Sequence, residues 1–503
     1  MVKNQFFKGK YLNPQKHFAF ILWAVFFCYS ICAALIFQKV LLPLIPSFHA
    51  GGGLMSNDAV YFDSVASALA EEIRLHGWSS WQIYPANGAR GNVAILAALY
   101  ALFGHDPTVI IPVNAAIHAL GGLLIFLLTR ELSDKASVGT YAGLIAASLF
   151  VVFPSALVWY GQNHKDGYMI AGALLILLTW VKAIRGQKDI YGWLILVLCN
   201  LAGVVLIGSV RPYFLVVSLV ATIGALLAIL TVALLRGQLR RITKLVAFYL
   251  IAAIVLAVGV KVASVTVVGS QATAAVTGFG QMGDVYEGWQ GARHSRAKRI
   301  TVDINGEQHV AYEDKTEFWQ WRDTPFLPDS IEKYLQTAAS TRAGLIDFGF
   351  SVNAKSMIDE YITPQSVGEM AAYMPRALQV ALLAPFPSSW LTHTSMSRLI
   401  ATGEMIIYYL CVPGIFLLLC YNRKPAILMA IYYACFYLLV YGFTQANLGT
   451  LHRYRYGYLF IILQLGVLGW FTWLDKTGRL NRLERLLKRP QESSDSSEIA
   501  VAG

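Results

Sequence analysis

FAFILWAVFFCYSICAALIF, residues 18–37, carries no charge and follows Lys3, Lys8, Lys10 and Lys16. An apolar helix of that length crosses a hydrocarbon layer of roughly 30 Å, and the lysines before it place its start on the cytoplasmic side. It reads as a retained anchor, because it is long and lacks a small-residue cleavage site. The 41–107 stretch then lies outside, and with it Asn57, Asp58, Tyr61, Asp63, Glu71, Arg74 and Arg90.

The rest of the chain repeats the pattern. Of 503 residues, 56% are hydrophobic and 14% charged, and the mean hydropathy is +0.53, which excludes an ordinary soluble protein. Hydropathy gives ten spans: Phe18–Phe37, Val109–Leu128, Val138–Phe153, Tyr168–Val181, Tyr191–Ile207, Tyr213–Leu235, Leu245–Val262, Met405–Leu419, Ala426–Phe443 and Gly457–Trp473. The apolar run Val93–Phe103 is too short to cross and reads as an interfacial or re-entrant helix. The net charge of +11 does not point to nucleic acid, because the basic residues sit in short turns. Arg130 and Lys135, then Lys182, Arg185 and Lys188, then Arg236, Arg240, Arg241 and Lys244, then Arg423 and Lys424, then Lys476 to Arg489 all fall on one side. That is the positive-inside pattern, with both termini cytoplasmic.

The expected architecture is an all-α polytopic membrane protein, a bundle of about ten transmembrane helices with outer juxtamembrane helices and a small α+β outer insert. Residues 1–268 form the core with its outer loop at 41–107, residues 269–403 the insert, 404–475 the last spans, and 476–503 a basic and then disordered tail. Within the insert, Ile300–Tyr312 alternates around Asn305-Gly306, which predicts a hairpin. Pro328-Asp329-Ser330 caps a helix over Ile331–Ile346, and Met374–Trp390, with three prolines, predicts a broken amphipathic surface segment. All six cysteines fall in or beside spans, so neither a disulfide framework nor Cys/His metal spacing is present. No Asn-x-Ser/Thr sequon occurs, which favours a bacterial inner membrane.

The outer loops supply carboxylates, which can take a proton, and cations, which can hold a phosphate. Asp58 starts a helix whose Tyr61, Phe62, Val65, Ala66 and Leu69 are expected to share the docking face. By itself it also reads as a helix cap. Asp63, on another face, is expected to be solvated. Asp166, in Asn163-His164-Lys165-Asp166-Gly167, supplies a second carboxylate that orients the acceptor, holds a divalent cation with Asp58, or caps a helix. Arg90, Arg211, and the pair Arg453 and Arg455 are the phosphate candidates, with Lys165 as a helper. Arg211, followed by Pro212, meets the outer boundary where an unpaired charge is costly. Arg453 and Arg455, interleaved with Tyr454 and Tyr456, also read as interfacial anchors.

The order of features resembles a known family. An N-in span is followed by Asn57-Asp58-Ala59-Val60-Tyr61-Phe62 with Ala66 and Gly77, and by a short helix ending Leu102-Phe103-Gly104-His105-Asp106-Pro107. Then come Leu127-Leu128-Thr129-Arg130-Glu131-Leu132, Phe153-Pro154-Ser155 and Asp166. This run, as far as Arg185, is similar to the GT-C superfamily of membrane glycosyltransferases, in particular the protein mannosyltransferase and aminoarabinose transferase type. Asn447-Leu448-Gly449-Thr450 with Arg453 and Arg455 resembles the last outer loop of polysaccharide-cluster members. Two positions depart from the pattern: Ala59 follows Asp58, and Ala89-Arg90-Gly91-Asn92 stands where a His-Pro-Pro is frequent.

The resemblance implies an inverting glycosyltransferase with Asp58 and Asp166 as catalytic carboxylates, and Tyr61, Arg90, Lys165, Arg211, Arg453 and Arg455 on the substrates. Its donor would be a polyprenyl-phosphate-linked sugar and its acceptor a glycan, lipid or protein, in a lipid bilayer. A divalent cation is an open question. A polymerase or ligase moving a lipid-linked oligosaccharide needs the same groups. A lipid or glycan transporter would place ionisable residues at mid-membrane, whereas here they gather in the outer loops.

Overall fold

A computed structural model describes residues 14–268 and 298–482, except 57, 86–89, 188, 238–241, 305–306, 314–318, 352–353, 355, 391–395 and 481. Helix α1 (Pro14–Ile36) continues into a π-helical turn at Phe37–Leu41, and a short hairpin, β1 (His49–Gly51) and β2 (Leu54–Met55), follows. Its turn, Gly51-Gly52-Gly53, has positive φ at all three residues, a backbone that only glycine adopts without strain. Next come α2 (Asp58–His76) and α3 (Gly91–Phe103), then α4 (Ile111–Leu132), α5 (Ala136–Val152), α6 (Leu157–Tyr160), α7 (Asp166–Arg185), α8 (Ile190–Val210), α9 (Phe214–Leu235) and α10 (Thr243–Val268). The second half contains the hairpin β3 (Lys298–Ile304) and β4 (Glu307–Glu313), α11 (Asp329–Ser351), α12 (Val367–Leu383), α13 (Met396–Cys411), α14 (Pro413–Tyr421), α15 (Pro425–Thr444), α16 (Leu448–Tyr454) and α17 (Tyr456–Lys476).

The chain is an all-α multi-pass membrane protein. Nine helical stretches among the described residues are long and apolar enough to cross a bilayer, and Ala136–Val152 with Pro154–Tyr160, bent by 49°, makes a tenth. The bend has a local cause. Pro154 holds Phe153 extended (ψ 123°), which ends α5. Helix α3 is apolar but, at 13 residues, reaches only about 20 Å, so it does not span.

Two ends of the bundle differ in charge. At one, the basic turns meet acids: Lys182 lies 2.8 Å from Glu131, Lys135 2.5 Å from Asp475, and Lys424 pairs with Asp134. At the other end stand α2, α3 and the loops between α6 and α7, α8 and α9, and α15 and α17. Helix α2 buries Ala59, Phe62, Ala66, Ala70 and Ile73, which recur at helical spacing. Phe62, Ala66 and Ala70 pack on Val93, Leu96, Ala97 and Tyr100. Of the expected docking face, Phe62 and Ala66 lie in this contact and Val65 and Leu69 pack against it, whereas Tyr61 is 42% exposed and outside it. Asp63 is also not solvated: it accepts a 2.5 Å hydrogen bond from the Tyr100 hydroxyl and lies 3.2 Å from His105 Nε2.

The insert keeps its expected elements. The β3–β4 strands pair in register, while Asn305-Gly306 lies outside the described residues. Helix α12 runs unbroken through Pro375 and ends at Leu383, two residues before Pro385, rather than extending to Trp390. Helices α11 and α12 bury Ala339, Met370, Tyr373 and Ala377 against Phe443 at the end of α15. Residues 356–358 pair with 446–448, since Ile358 N–H donates to Ala446 O and Leu448 N–H to Ser356 O.

Helices α7 and α8 approach closely at Gly172 and Gly203, where a Cβ on either would meet the other's carbonyl oxygen at 2.7 and 2.8 Å. This small-residue contact lays the last turns of α8 beside the start of α7. Gly203→Ile should cost about 1–3 kcal/mol by overpacking, read as a lower melting temperature in detergent. An unchanged melting temperature would mean the two helices part without penalty.

Candidate functional site

The α7–α8 contact places Arg211, just after α8, against Asp166, the first residue of α7. Arg211 Nη2 lies 2.6 Å from Asp166 Oδ1, and both side chains are buried. Arg211 Nη1 reaches the Tyr441 hydroxyl at 3.2 Å, and the guanidinium stacks 4.1 Å from the centre of the Tyr454 ring. Burial alone would pull Arg211 down; Asp166, followed by Tyr213, more than offsets this, so its pKa is raised.

Arg453, on α16, completes the group. Its Nε lies 3.3 Å from Asp166 Oδ2, and its Nη2 3.2 Å from Asp58 Oδ2. Asp166, 3% exposed, thus has one arginine on each oxygen, while the Asp58 side chain is 54% exposed. Arg453 is what joins the two carboxylates, which are 108 positions apart in the chain. Its Nη1 also lies 3.5 Å from His164 Nδ1. Because arginine only donates, His164 Nδ1 accepts and the ring proton sits on Nε2, which has no partner among the described residues. Burial, then Arg453, lowers His164 to about 4, so the ring is neutral at pH 7.

Lys165 and Arg90 add positive charge. Lys165 Nζ stands 5.0 Å over the Phe62 ring, and burial with neighbouring Arg90 and Arg211 lowers its pKa to about 7. Arg90 caps α3 and is buried, with Tyr213, Tyr84 and Tyr61 as its electrostatic neighbours. Trp81 Nε1 bonds to Ala94 O at 2.9 Å and the Tyr84 hydroxyl to Gly208 O at 2.6 Å, fixing this segment between α3 and α8.

Arg455 belongs elsewhere. Its Nη1 donates to the carbonyls of Val380 at 3.1 Å and Ala381 at 2.7 Å, and its Nη2 to Ala384 O. Nη2 also meets His452 Nδ1 at 3.3 Å, so His452 Nε2 carries the proton facing Glu404 at 2.9 Å. Glu404 in turn accepts from Ser155 N–H at 2.8 Å. Arg453 and Arg455, two residues apart in the chain, thus divide between the charged site and the helix ends that support it.

The chain matches no family model and no characterised protein in comparisons of its sequence.

Of the residues picked from sequence, Asp58, Asp166, Lys165, Arg211 and Arg453 meet at one place, Arg90 and Tyr61 lie at its edge, and Arg455 is apart. Sequence reading passed over His164, Tyr441 and Tyr454 as site groups. The local signal for His164 was its place beside Lys165 and Asp166. Among the described residues no three His, Cys, Asp or Glu side chains group as metal ligands, and the guanidinium of Arg453 lies between the two carboxylates.

The arrangement can do two things: Asp58 can accept a proton from an entering group, and the surrounding cations can hold an anion. Arg211→Ala leaves Asp166 buried with half its compensation, at a cost of about 3–5 kcal/mol. The melting temperature should fall clearly, and less for Arg211→Lys, which keeps charge but loses the planar fork. No loss for Arg211→Ala would remove the pair from the structural account.

Lys165 also sets a pH dependence. Its amine is a cation below about pH 7 and neutral above. Affinity for sulfate, whose charge is constant over this range, followed by calorimetry, should therefore fall as pH rises through 7. Lys165→Met should bind weakly and evenly across that range; a wild-type profile flat from pH 6 to 8 counts against the role.

Proposed function

We propose that this protein is a membrane glycosyltransferase of GT-C type. In this reading it moves a sugar, with inversion, from a polyprenyl-phosphate donor to a glycan, lipid or protein acceptor on the extracytoplasmic face of a bacterial inner membrane. The observation that carries the reading is one exposed carboxylate, Asp58, linked through Arg453 to a buried Asp166–Arg211 pair, with Lys165 and Arg90 close by. The cluster lies at the end of the bundle opposite the basic turns, and by the positive-inside rule this supports an extracytoplasmic site.

The chemistry follows from exposure. Asp58 takes the acceptor hydroxyl proton while the hydroxyl oxygen attacks the anomeric carbon from the face opposite the phosphate. The bond from that carbon to the phosphate oxygen breaks, and the electron pair leaves with the lipid phosphate, whose charge rises from −1 to −2. Protonated Lys165, with Arg90 and Arg453, stabilises this developing charge. Asp166 has both oxygens on arginines, so its part is to hold Arg211 and Arg453 in place. Because residues 356–358 of the insert pair with the strand leading to α16, the insert borders the site, which favours an extended glycan as acceptor or cargo.

Purified protein supplied with radiolabelled undecaprenyl-phosphate sugars and membrane glycolipid extract should transfer label. Asp58→Asn should lower turnover by about 10²-fold or more with an unchanged melting temperature. Asp63→Asn, which replaces the carboxylate held by Tyr100 and His105, should affect stability more than turnover. An Asp58→Asn protein with normal turnover would refute the base.

A further inference from the structure

The hairpin before Asp58 and the loop before Asp166 are joined by buried amides rather than by charges. Gln162 is 1% exposed and commits both ends of its side chain: Nε2 donates to Gly53 O at 2.9 Å, and Oε1 accepts from Met55 N–H at 3.1 Å. One side chain thus bonds the hairpin as a neighbouring strand would, taking one carbonyl and one N–H from alternate residues. The backbone of Gln162 is fixed in turn, because Asn114 Nδ2 on α4 donates to Gln162 O at 2.7 Å. One residue earlier, Gln38 Nε2 donates to Gly161 O at 2.6 Å. Gln38 lies in the π-helical turn after α1, where the extra residue per turn re-aims side chains. Gly53 meets this wall closely: a Cβ there would sit 3.5 Å from Gln38 Oε1.

These bonds fix the distance across which Arg453 must reach. Met55 stands three residues before Asp58, and Gln162 four before Asp166. Arg453 spans the carboxylates with contacts of 3.2 and 3.3 Å, so a small shift of the hairpin would break one of them. Ionic contacts to a half-exposed carboxylate are weak holders, whereas two buried amide bonds are directional and costly to leave unmade.

We propose that Gln162 is a positioning residue, an amide clamp that hangs the 49–55 hairpin on the α6–α7 loop and thereby sets Asp58 against Arg453 and Asp166. Its catalytic consequence rests on the glycosyl-transfer reading; the clamp itself does not.

Hydrogen exchange with mass spectrometry tests the clamp directly. In Gln162→Leu, peptides covering 49–56 should lose at least tenfold in protection, while those covering 91–103 stay unchanged. Turnover with undecaprenyl-phosphate sugar should fall at least tenfold and the donor KM stay within twofold, because the cations sit on other elements. Gln162→Glu supplies a second, isosteric test. Its carboxylate repels Gly53 O at pH 8, but protonated at pH 5 it again offers one donor and one acceptor, so the protection factor of 49–56 should recover on acidification. Undiminished protection of 49–56 in both variants would overturn the clamp, as would lost turnover accompanied by a proportional rise in KM. If wild-type protein transfers no sugar, the glycosyltransferase reading fails and the exchange data alone decide the clamp.

Discussion

The buried carboxylate of Asp166 is the constraint around which the polar end of this molecule is organised. An isolated carboxylate at that depth would carry a desolvation penalty of several kcal/mol, and two guanidiniums remove it, one on each oxygen. Each arginine comes from a different place: Arg211 from the end of α8, Arg453 from the short α16. The glycine contact between α7 and α8 brings the first, and the pairing of 356–358 with 446–448 holds the loop that brings the second. Tyrosines 441 and 454 fill the remaining space around Arg211, one by hydrogen bond and one by its ring face.

Exposure then divides the labour between two chemically identical groups. Asp166 is enclosed, with a guanidinium against each oxygen. Asp58 has one arginine and an open side. The same logic separates the cations. Arg211 is consumed by its partner, whereas Lys165, lowered by burial to about 7, exchanges its proton near neutral pH and so responds to an arriving anion. A cluster built this way commits its strongest charge pair to geometry and leaves its weaker, adjustable groups to respond to what arrives.

Much of this was legible in the sequence, and the boundary of legibility is physical. The apolar spans, the short α3 and the β3–β4 hairpin are local patterns, and they reappear in the structure within a few residues. Arg211 stood out because a charge beside an apolar span is expensive, and Asp58 and Asp166 as outer-loop carboxylates at positions that the family resemblance marks. What sequence could not carry were contacts between segments far apart: Arg453 on Asp58, Gln162 on Gly53, Tyr100 on Asp63. Each depends on which side chains face a neighbouring segment, and at the margin of the α2 docking face this leaves Tyr61 exposed while Phe62, Val65, Ala66 and Leu69 pack inward. Arg455 was misgrouped for the same reason, since adjacent arginines on a helical turn point in different directions.

The pairing of Asp166 with an arginine near the far end of the chain also orders the protein's assembly in time. A nascent chain that has inserted α1 to α9 already holds Asp58, Asp166 and Arg211, but the second arginine does not exist until α15 and α16 have been made. Until then the carboxylate at the start of α7 has only one of its two guanidiniums, and completion of the last helical hairpin supplies the other.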